Sequence, residues 1–312
     1  MARGVFPRAI YLSEDAVLAH ITYAVSTIKE FVEFFEKADA TIKSNDKDTF
    51  WRAAADIDAI LKPDLWRQFY NNAIEKLQSD PLYNGGRDWQ VYGFTLCEAT
   101  NFSLTVRSTL QHNIGRNVVD GPTDDDLNII STRAAPAVLS ILSRQPREFV
   151  FYSIPPHVNL DVFDPDVPLQ ESRRQVIAPW QPIRIDGPHE FAEMTPDFQS
   201  DTCLLDFSMK PMISQRWEFD ARSGFAAAAV LVSTETSTIL SIIEEIKRAG
   251  YVSALPELLD LGNHPDFNIR WNALRCVAAF DTDAGHKMLV NLQDDPHPLI
   301  RNSVRQMLAG MQ

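Results

Sequence analysis

The last quarter of this 312-residue chain contains a duplicated segment, and the duplication limits how the chain can fold. One copy reads HPDFNIRWNALRCV from His264, and the other reads HPLIRNSVRQML from His297. Pro265 and Pro296, which stand at equivalent places, are 31 residues apart. A fixed period of about 20 to 50 residues is typical of stacked helical units. The sequence therefore predicts paired helical hairpins in the region 233–312.

The beginning of the chain, residues 1–80, is also patterned for helices. Apolar residues at three- and four-residue steps from Val17 to Phe35 predict an amphipathic helix that starts after Ser13. Two more helices are predicted, one from Thr49 to Leu61 and one from Pro63, whose ring suits a first helical turn. The buried face of the third helix is predicted to contain Leu65, Phe69, Ala73, Ile74 and Leu77. These helices either form a bundle alone or pack against the central region of the chain.

The middle of the chain, residues 81–232, is patterned for short strands. Chain breakers such as Asn84-Gly85-Gly86 mark its beginning. Two strands are predicted within Trp89 to Val106, and a helix from Asp124 to Leu142. Further strands are predicted at 149–154, 158–163, 175–185, 202–209, 213–220 and 224–232. Such spacing predicts an α+β chain whose central antiparallel domain resembles a jelly roll.

The amino-acid composition excludes several classes of function for this chain. With 45% hydrophobic and 23% charged residues the chain has the composition of a globular protein in water, and its formal net charge of −13 repels phosphate backbones. Nucleic acid is therefore excluded as a predicted partner. The sequence has no apolar run near the roughly 20 residues that cross a membrane and no signal-peptide pattern, and its three cysteines are far apart. These features predict a cytoplasmic protein that does not bind membranes.

The duplicated hairpins resemble HEAT-type repeats, the class to which armadillo-like solenoids belong. The resemblance rests on the Pro265 turn with Ile269-Arg270 and on Asp295-Pro296 with Ile300-Arg301, and it extends over 237–312. In that family a proline-containing turn leads into the second helix, and the aliphatic residue enters the core. The resemblance implies that each arginine ties one unit to its neighbour. An anion-binding groove formed by both arginines is the alternative.

The central region resembles cupin-like jelly rolls in its PWQPIRI and QRWEFD strands, which run into the helical tail. The paired His-x-His of metal-binding cupins is absent from the sequence. This resemblance implies a small-ligand pocket inside the β domain.

Five residues of the central region are candidates for lining such a pocket, because ligand sites combine aromatic walls with a few polar groups. The candidates are Trp180, Arg184, Arg216, Trp217 and Glu218. Strand alternation puts Trp217 on one face and both Arg216 and Glu218 on the other. The alternative is that the tryptophans fill the core and the charged residues face solvent.

Three residues are candidate metal ligands. His157 and Asp161 are four residues apart, so on a strand they would face the same side, with His189 or alternatively Glu190 as a third ligand. The alternative is a histidine in a turn and a carboxylate in solvent. Beyond this metal hypothesis the sequence indicates no cofactor.

No catalytic residue is predicted, because nucleophile elbows, phosphate-binding glycine loops and dinucleotide fingerprints are absent from the sequence. The predicted function is that of a non-catalytic binding or accessory protein. Its HEAT-like surface would engage another protein or a second copy of the chain. The alternative is a cupin-like small-ligand-binding protein or a metal-dependent enzyme with its site inside the β domain.

Overall fold

A computed structural model describes residues 18–81, 83, 93–108, 129–195 and 202–310 of the chain. The fold is α+β, as predicted: after one short strand come the N-terminal helices, then the other strands of the antiparallel sheets, and then the helices of the tail. The chain divides into two compact units. The first, here called the sheet unit, comprises Met1–Val158, Pro165–Met212 and Trp217–Ala228. The second, here called the tail unit, comprises Asn159–Asp164, Ile213–Arg216 and Ala229–Gln312.

In the described part of the chain, four α-helices lie between the first strand and the remaining strands, and five follow the last strand. They are α1 (Tyr23–Ser26), α2 (Lys29–Thr41), α3 (Lys47–Ala54), α4 (Pro63–Ser79), α5 (Thr234–Ala249), α6 (Leu255–Asp260), α7 (Phe267–Phe280), α8 (Thr282–Asn291) and α9 (Pro298–Gly310). The strands are β1 (Leu18–Ile21), β2 (Gly93–Ala99), β3 (Phe102–Ser108), β4 (Ile129–Ser131), β5 (Ala137–Ile141), β6 (Arg147–Ser153), β7 (Gln170–Ile177), β8 (Pro182–Ile185), β9 (Glu190–Met194), β10 (Cys203–Met209), β11 (Gln215–Asp220) and β12 (Ala226–Leu231).

The strands form a six-stranded sheet in the order β1-β2-β3-β10-β5-β8 and two three-stranded sheets, β12-β11-β4 and β7-β6-β9. The pairings within the six-stranded sheet are antiparallel, including those of β10 with β3 and β5. The hairpin of β2 and β3 is the pair predicted within Trp89 to Val106, of which residues 89–92 lie outside the described residues. The predicted antiparallel centre is therefore confirmed.

The first four helices pack against one face of the six-stranded sheet. At the centre of the contact, the ring of Phe207 on β10 lies 5.4 Å from that of Phe34, 5.0 Å from that of Phe50 and 5.5 Å from that of Phe102, centroid to centroid. These rings and the neighbouring aliphatic side chains form one buried cluster. Of the two alternatives for the N-terminal helices, the structure shows the one in which they pack against the central region.

The helical tail has the predicted duplicated geometry. Helices α6 and α7 form one hairpin and α8 and α9 the next, with α5 before them. Ile269 and Ile300, the equivalent aliphatic residues, are buried, as the resemblance implied. Helix α5 ends at Gly250, whose positive φ of 65° favours glycine. Helices α7 and α8 approach so closely that a Cβ on Gly285 would lie 2.6 Å from the Cα of Ala278.

The predicted helix from Asp124 to Leu142 is wrong in its described part, where β4 and β5 are found instead. Every residue of β5 is buried, because this strand lies inside the six-stranded sheet and both of its faces are covered. A strand buried on both faces reads as an unbroken apolar run, which periodicity alone cannot distinguish from a helix.

Three other predictions are wrong in detail. Residues 158–163 form turns rather than a strand, and the side chain of Asn159 accepts a hydrogen bond from the Asp161 backbone. The predicted first helix is divided, in its described part, into β1, α1 and α2. On α4, Ile74 and Leu77 are 52% and 45% exposed rather than buried, whereas Trp66 takes a core position. The helices are shorter or turned differently because contacts with the sheet, rather than propensity, decide which face is buried.

Candidate functional site

The two proline turns of the tail unit hold the residues that the repeat pattern singled out. In the first turn, the Asp266 side chain accepts a hydrogen bond from the Asn268 backbone and caps α7. The same carboxylate accepts a hydrogen bond of 2.9 Å from the Thr236 hydroxyl on α5. In the second turn, Asp295 Oδ1 accepts a hydrogen bond of 2.7 Å from the His297 backbone. Both turns are therefore held by an aspartate side chain: Asp266 caps α7, whereas Asp295 accepts a backbone hydrogen bond two residues further along, before α9 begins.

Arg270 connects the two hairpins. Its Nε and Nη2 donate to the two carboxylate oxygens of Asp295 at 2.8 and 2.7 Å, and the side chains are only 8% and 1% exposed. Its Nη1 donates to the backbone carbonyls of His264 and Pro265 at 2.7 and 2.8 Å. The guanidinium thus binds the turn of its own unit and the carboxylate of the next. The implied inter-unit role of Arg270 is confirmed, and an anion-binding groove is not formed at this residue.

Arg301 repeats half of this arrangement. Its Nη1 donates to the backbone carbonyls of Asp295 and Pro296 at 2.6 and 3.2 Å. These two carbonyls are equivalent to the ones that Arg270 binds, because each pair lies in the turn before its own helix. Among the described residues, no carboxylate pairs with Arg301 as Asp295 pairs with Arg270.

The outer surface of α6 and α8 carries exposed apolar side chains. Leu259 on α6 and Val290 on α8 are 39% and 38% exposed and stand 31 residues apart, so the duplication places them at equivalent positions. Just before α6, Tyr251 and Val252 are 61% and 53% exposed. We call these four residues the apolar row. Exposed apolar residues that recur at one position of successive units form a continuous strip along a stack of hairpins.

The helices that carry Leu259 and Val290 also carry exposed carboxylates. Glu257 and Asp260 on α6 and Asp283 on α8 are exposed, and none of the three has an ion-pair partner within the described ranges. The only basic residue of α8 besides its histidine is Lys287. The exposed charges of α6 and α8 are therefore mainly negative, which favours partners that combine basic groups with an apolar contact.

Two of the five predicted ligand-binding residues lie near the helix-covered sheet. Trp180 has a positive φ of 65° and its ring lies 6.5 Å from that of Trp66, so it packs against the buried cluster. Arg184 on β8 is exposed, and its guanidinium lies 5.5 Å from the ring of Trp51. Each of these side chains therefore makes a contact that a structural role explains.

The other three predicted ligand-binding residues lie on β11, in a different sheet. Trp217 is completely buried, whereas Arg216 is exposed and Glu218 is partly exposed. The predicted alternation along this strand is therefore confirmed. The structure places Trp180 and Arg184 in one part of the fold and the β11 residues in another sheet, so a shared pocket of all five stays a prediction.

The three predicted metal ligands differ in their surroundings. His189 Nε2 lies 2.9 Å from the carbonyl oxygen of Val158, so this nitrogen has a backbone partner. Asp161 lies in a turn of the tail unit, where its Oδ1 accepts hydrogen bonds from the backbone and hydroxyl of Ser214. The premise that His157 and Asp161 share one face of a strand is wrong, because this segment is not a strand. The described residues contain no group of three or more His, Cys, Asp or Glu that could hold a metal ion.

A pocket of about 410 Å³ lies in the sheet unit around the turn between β8 and β9. His189 lines it, together with Lys47, Asp186 and Glu190. Lys47 and Asp186 form an ion pair at 2.5 Å, and Glu190 is 3.2 Å from the guanidinium of Arg173. The pocket therefore presents charged groups of both signs beside apolar walls from residues such as Ile154 and Pro188.

A buried carboxylate in the sheet unit was not predicted from the sequence. Asp206 on β10 is 1% exposed, and Arg133 Nη2 donates to both of its oxygens at 2.8 Å. Arg107 approaches the same carboxylate at 3.1 Å, and Ser208 also donates to it. Burial favours a raised pKa, but the two arginines outweigh it and hold the pKa of Asp206 below its ordinary value. An acid in the apolar strand TCLLDFSM was the available signal, because buried carboxylates need partners.

Comparison with known proteins matches one part of the chain. Residues 227–309 match the family model of HEAT repeats, in agreement with the hairpins observed there. No curated protein matches the chain. Within the described residues, no helix is long and apolar enough to cross a membrane.

Proposed function

We propose that the chain is a non-catalytic binding or accessory protein whose HEAT-like tail binds another protein through the apolar row. The tail has the architecture of units that generally serve as interaction surfaces, and its match to HEAT repeats supports this role. A cytoplasmic location and the division into the regions 1–80, 81–232 and 233–312 belong to the same proposal. Nucleic acid and membranes are not proposed partners, in view of the net charge of −13.

The observation that carries the proposal is the exposure of Leu259 and Val290 at equivalent positions. Single exposed apolar residues are common on protein surfaces and need no explanation. Here the exposure of Leu259 recurs at Val290 with the 31-residue period, and Tyr251 and Val252 just before α6 are exposed as well. The hairpin interiors bury their own aliphatic residues, such as Ile269, so the row is not needed for the core.

The test uses the full chain as bait in its native cell, with a double variant, Leu259→Asp and Val290→Asp. The matched control is Val176→Asp on β7, since Val176 is also exposed, at 64%. We expect proteins captured by the wild-type chain and by the control to be lost from the double variant. Capture that is identical for all three would contradict the proposed surface. Light scattering on the same proteins distinguishes self-association from binding of another protein.

A second candidate function is small-ligand binding in the sheet unit, as a cupin-like protein or a metal-dependent enzyme would show. The pocket beside His189 favours it, because charged groups of both signs converge on a concave surface there. Elemental analysis of the purified chain tests the metal form of this candidate. Stoichiometric iron or zinc that is lost in His189→Ala would favour it, whereas a protein without metal, or with metal unaffected by this change, would count against it.

A further inference from the structure

Arg301 is anchored like Arg270 but uses only part of its guanidinium. In Arg270, Nη1 binds the turn carbonyls while Nε and Nη2 bind Asp295. In Arg301, Nη1 makes the same turn contacts, at 2.6 and 3.2 Å. The Nε and Nη2 groups of Arg301 have no acceptor among the residues that the structure describes. The side chain is partly exposed, so this edge can be reached from outside.

The free edge has the geometry of a carboxylate receptor. Nε–H and Nη2–H of a guanidinium are parallel and match the two oxygens of a carboxylate. Binding usually loses affinity because a long side chain must first be ordered. The bonds of Nη1 to the turn have already ordered Arg301, so that cost is reduced. Arg305, one helical turn further, differs because its guanidinium already binds Asp294 and the carbonyl of Gln293.

We propose that the free edge of Arg301 binds an aspartate or glutamate side chain of a partner protein. The inference rests on the proposed function and specifies the chemistry of one contact. The same kind of contact exists within the chain, since the carboxylate of Asp295 binds the equivalent Nε and Nη2 edge of Arg270.

A second copy of the chain does not provide the carboxylate from its own proline turns. Asp295 of a copy is already bound to Arg270, and Asp266 is bound to Thr236 and to the start of α7. The net charge of −13 opposes the approach of acidic partners at long range. The contact at Arg301 therefore fixes the orientation of a partner held mainly by apolar contacts, rather than driving the encounter.

The direct test is NMR of the arginine Nε–H groups in the full chain. The probe is the acetylated, amidated peptide Asp-Asp-Pro-His-Pro, the sequence of residues 294–298, and the control peptide carries asparagine in place of both aspartates. The Arg301 signal is assigned from its loss in Arg301→Lys. We expect a saturable shift of this signal with the aspartate peptide and at least about tenfold weaker binding of the control, the loss expected for a charge-assisted hydrogen bond.

Three results would overturn the inference. They are no shift at Arg301, an equal shift with the asparagine peptide, and an equal response to acetate alone. The last would show a site for small carboxylates rather than for a protein side chain.

Proteins captured by the wild-type chain separate this inference from the proposed function. Arg301→Lys keeps the positive charge and a donor for the turn carbonyls, but it lacks the paired edge. We expect it to weaken retention of the partner about tenfold, as for one charge-assisted hydrogen bond. Unchanged retention by Arg301→Lys, with loss in the Leu259 and Val290 double variant, would refute the role of Arg301 and leave the proposed function intact. Retention by the double variant would contradict the proposed function itself.

Discussion

Replacing Asp295 by alanine should destabilise the tail unit more than any exposed change of the same kind. Asp295 and Arg270 are 1% and 8% exposed and are joined by two hydrogen bonds of 2.7 and 2.8 Å. Removing one partner of a buried pair leaves an uncompensated charge and costs about 3–5 kcal/mol. The change also removes the hydrogen bond from the His297 backbone in the turn before α9, worth about 1 kcal/mol. The total approaches the stability of a whole small domain, about 5–15 kcal/mol.

The neighbouring Asp294 provides the matched control. It pairs with Arg305 at 3.0 Å, but these side chains are 78% and 58% exposed. An exposed pair contributes about 0–1 kcal/mol, so Asp294→Ala should have little effect. Urea unfolding gives the free energies, and hydrogen exchange of peptides from 255–310 shows whether the loss lies in the tail. Equal destabilisation by the two alanine variants would refute the reasoning, because burial of the Arg270 pair would then have no energetic consequence.

Three further predictions concern single sites. Burial lowers the pKa of His297 despite the nearby Asp161 and Asp295, so as pH decreases this residue is protonated in the unfolded chain before it is protonated in the folded chain. The contribution of neutral His297 to the stability of the tail unit is therefore fully present above pH about 6.5 and should be lost as pH falls below it. His297→Phe should flatten this pH dependence of the free energy of unfolding, measured by urea titrations. The lowered pKa of Asp206 means that its ionised carboxylate stabilises the folded chain above pH about 4 and that this stabilisation is lost in stronger acid. Asp206→Asn should lower the free energy of unfolding by about 3 kcal/mol or more, measured by thermal unfolding. A decrease below about 1 kcal/mol would contradict a buried, paired charge at this position. Gly187→Ala should destabilise the sheet unit by about 1–3 kcal/mol, because its Cβ would lie 2.5 Å from the Ala135 carbonyl oxygen at a φ of +26°; an unchanged melting temperature would show that this turn relaxes freely.

Much of the helical tail could be predicted from the sequence because its determinants are local. The 31-residue period, the proline turns and the aliphatic positions before Arg270 and Arg301 all lie within one or two hairpins. Helical hairpins bury residues that are close in sequence, so a repeated pattern specifies a repeated contact. The glycine end of α5 at Gly250 was predictable for the same reason.

The arrangement of the sheets could not be predicted in the same way, because strand pairing is not local. Strand β10 lies between β3 and β5, which come about 100 and 65 residues earlier in the sequence. Only this order brings Arg133 and Arg107 to the carboxylate of Asp206. In the same order β5 lies inside the sheet with both faces buried, and its apolar run alone does not distinguish a strand from a helix.

The candidate sites also differ in how far the sequence alone predicts them. Spacing in the sequence is enough to make Arg270 and Arg301 equivalent, since equivalence depends on the repeat period alone. Which of them has a carboxylate partner depends on tertiary structure, because Asp295 reaches Arg270 from a turn 25 residues further along. Packing likewise places Asp161 in a turn rather than on a strand with His157. The spacing of residues in the sequence determines which residues of the two hairpins are equivalent. Their burial, and the oppositely charged partner that a buried charge needs, are determined only when distant segments of the chain pack together.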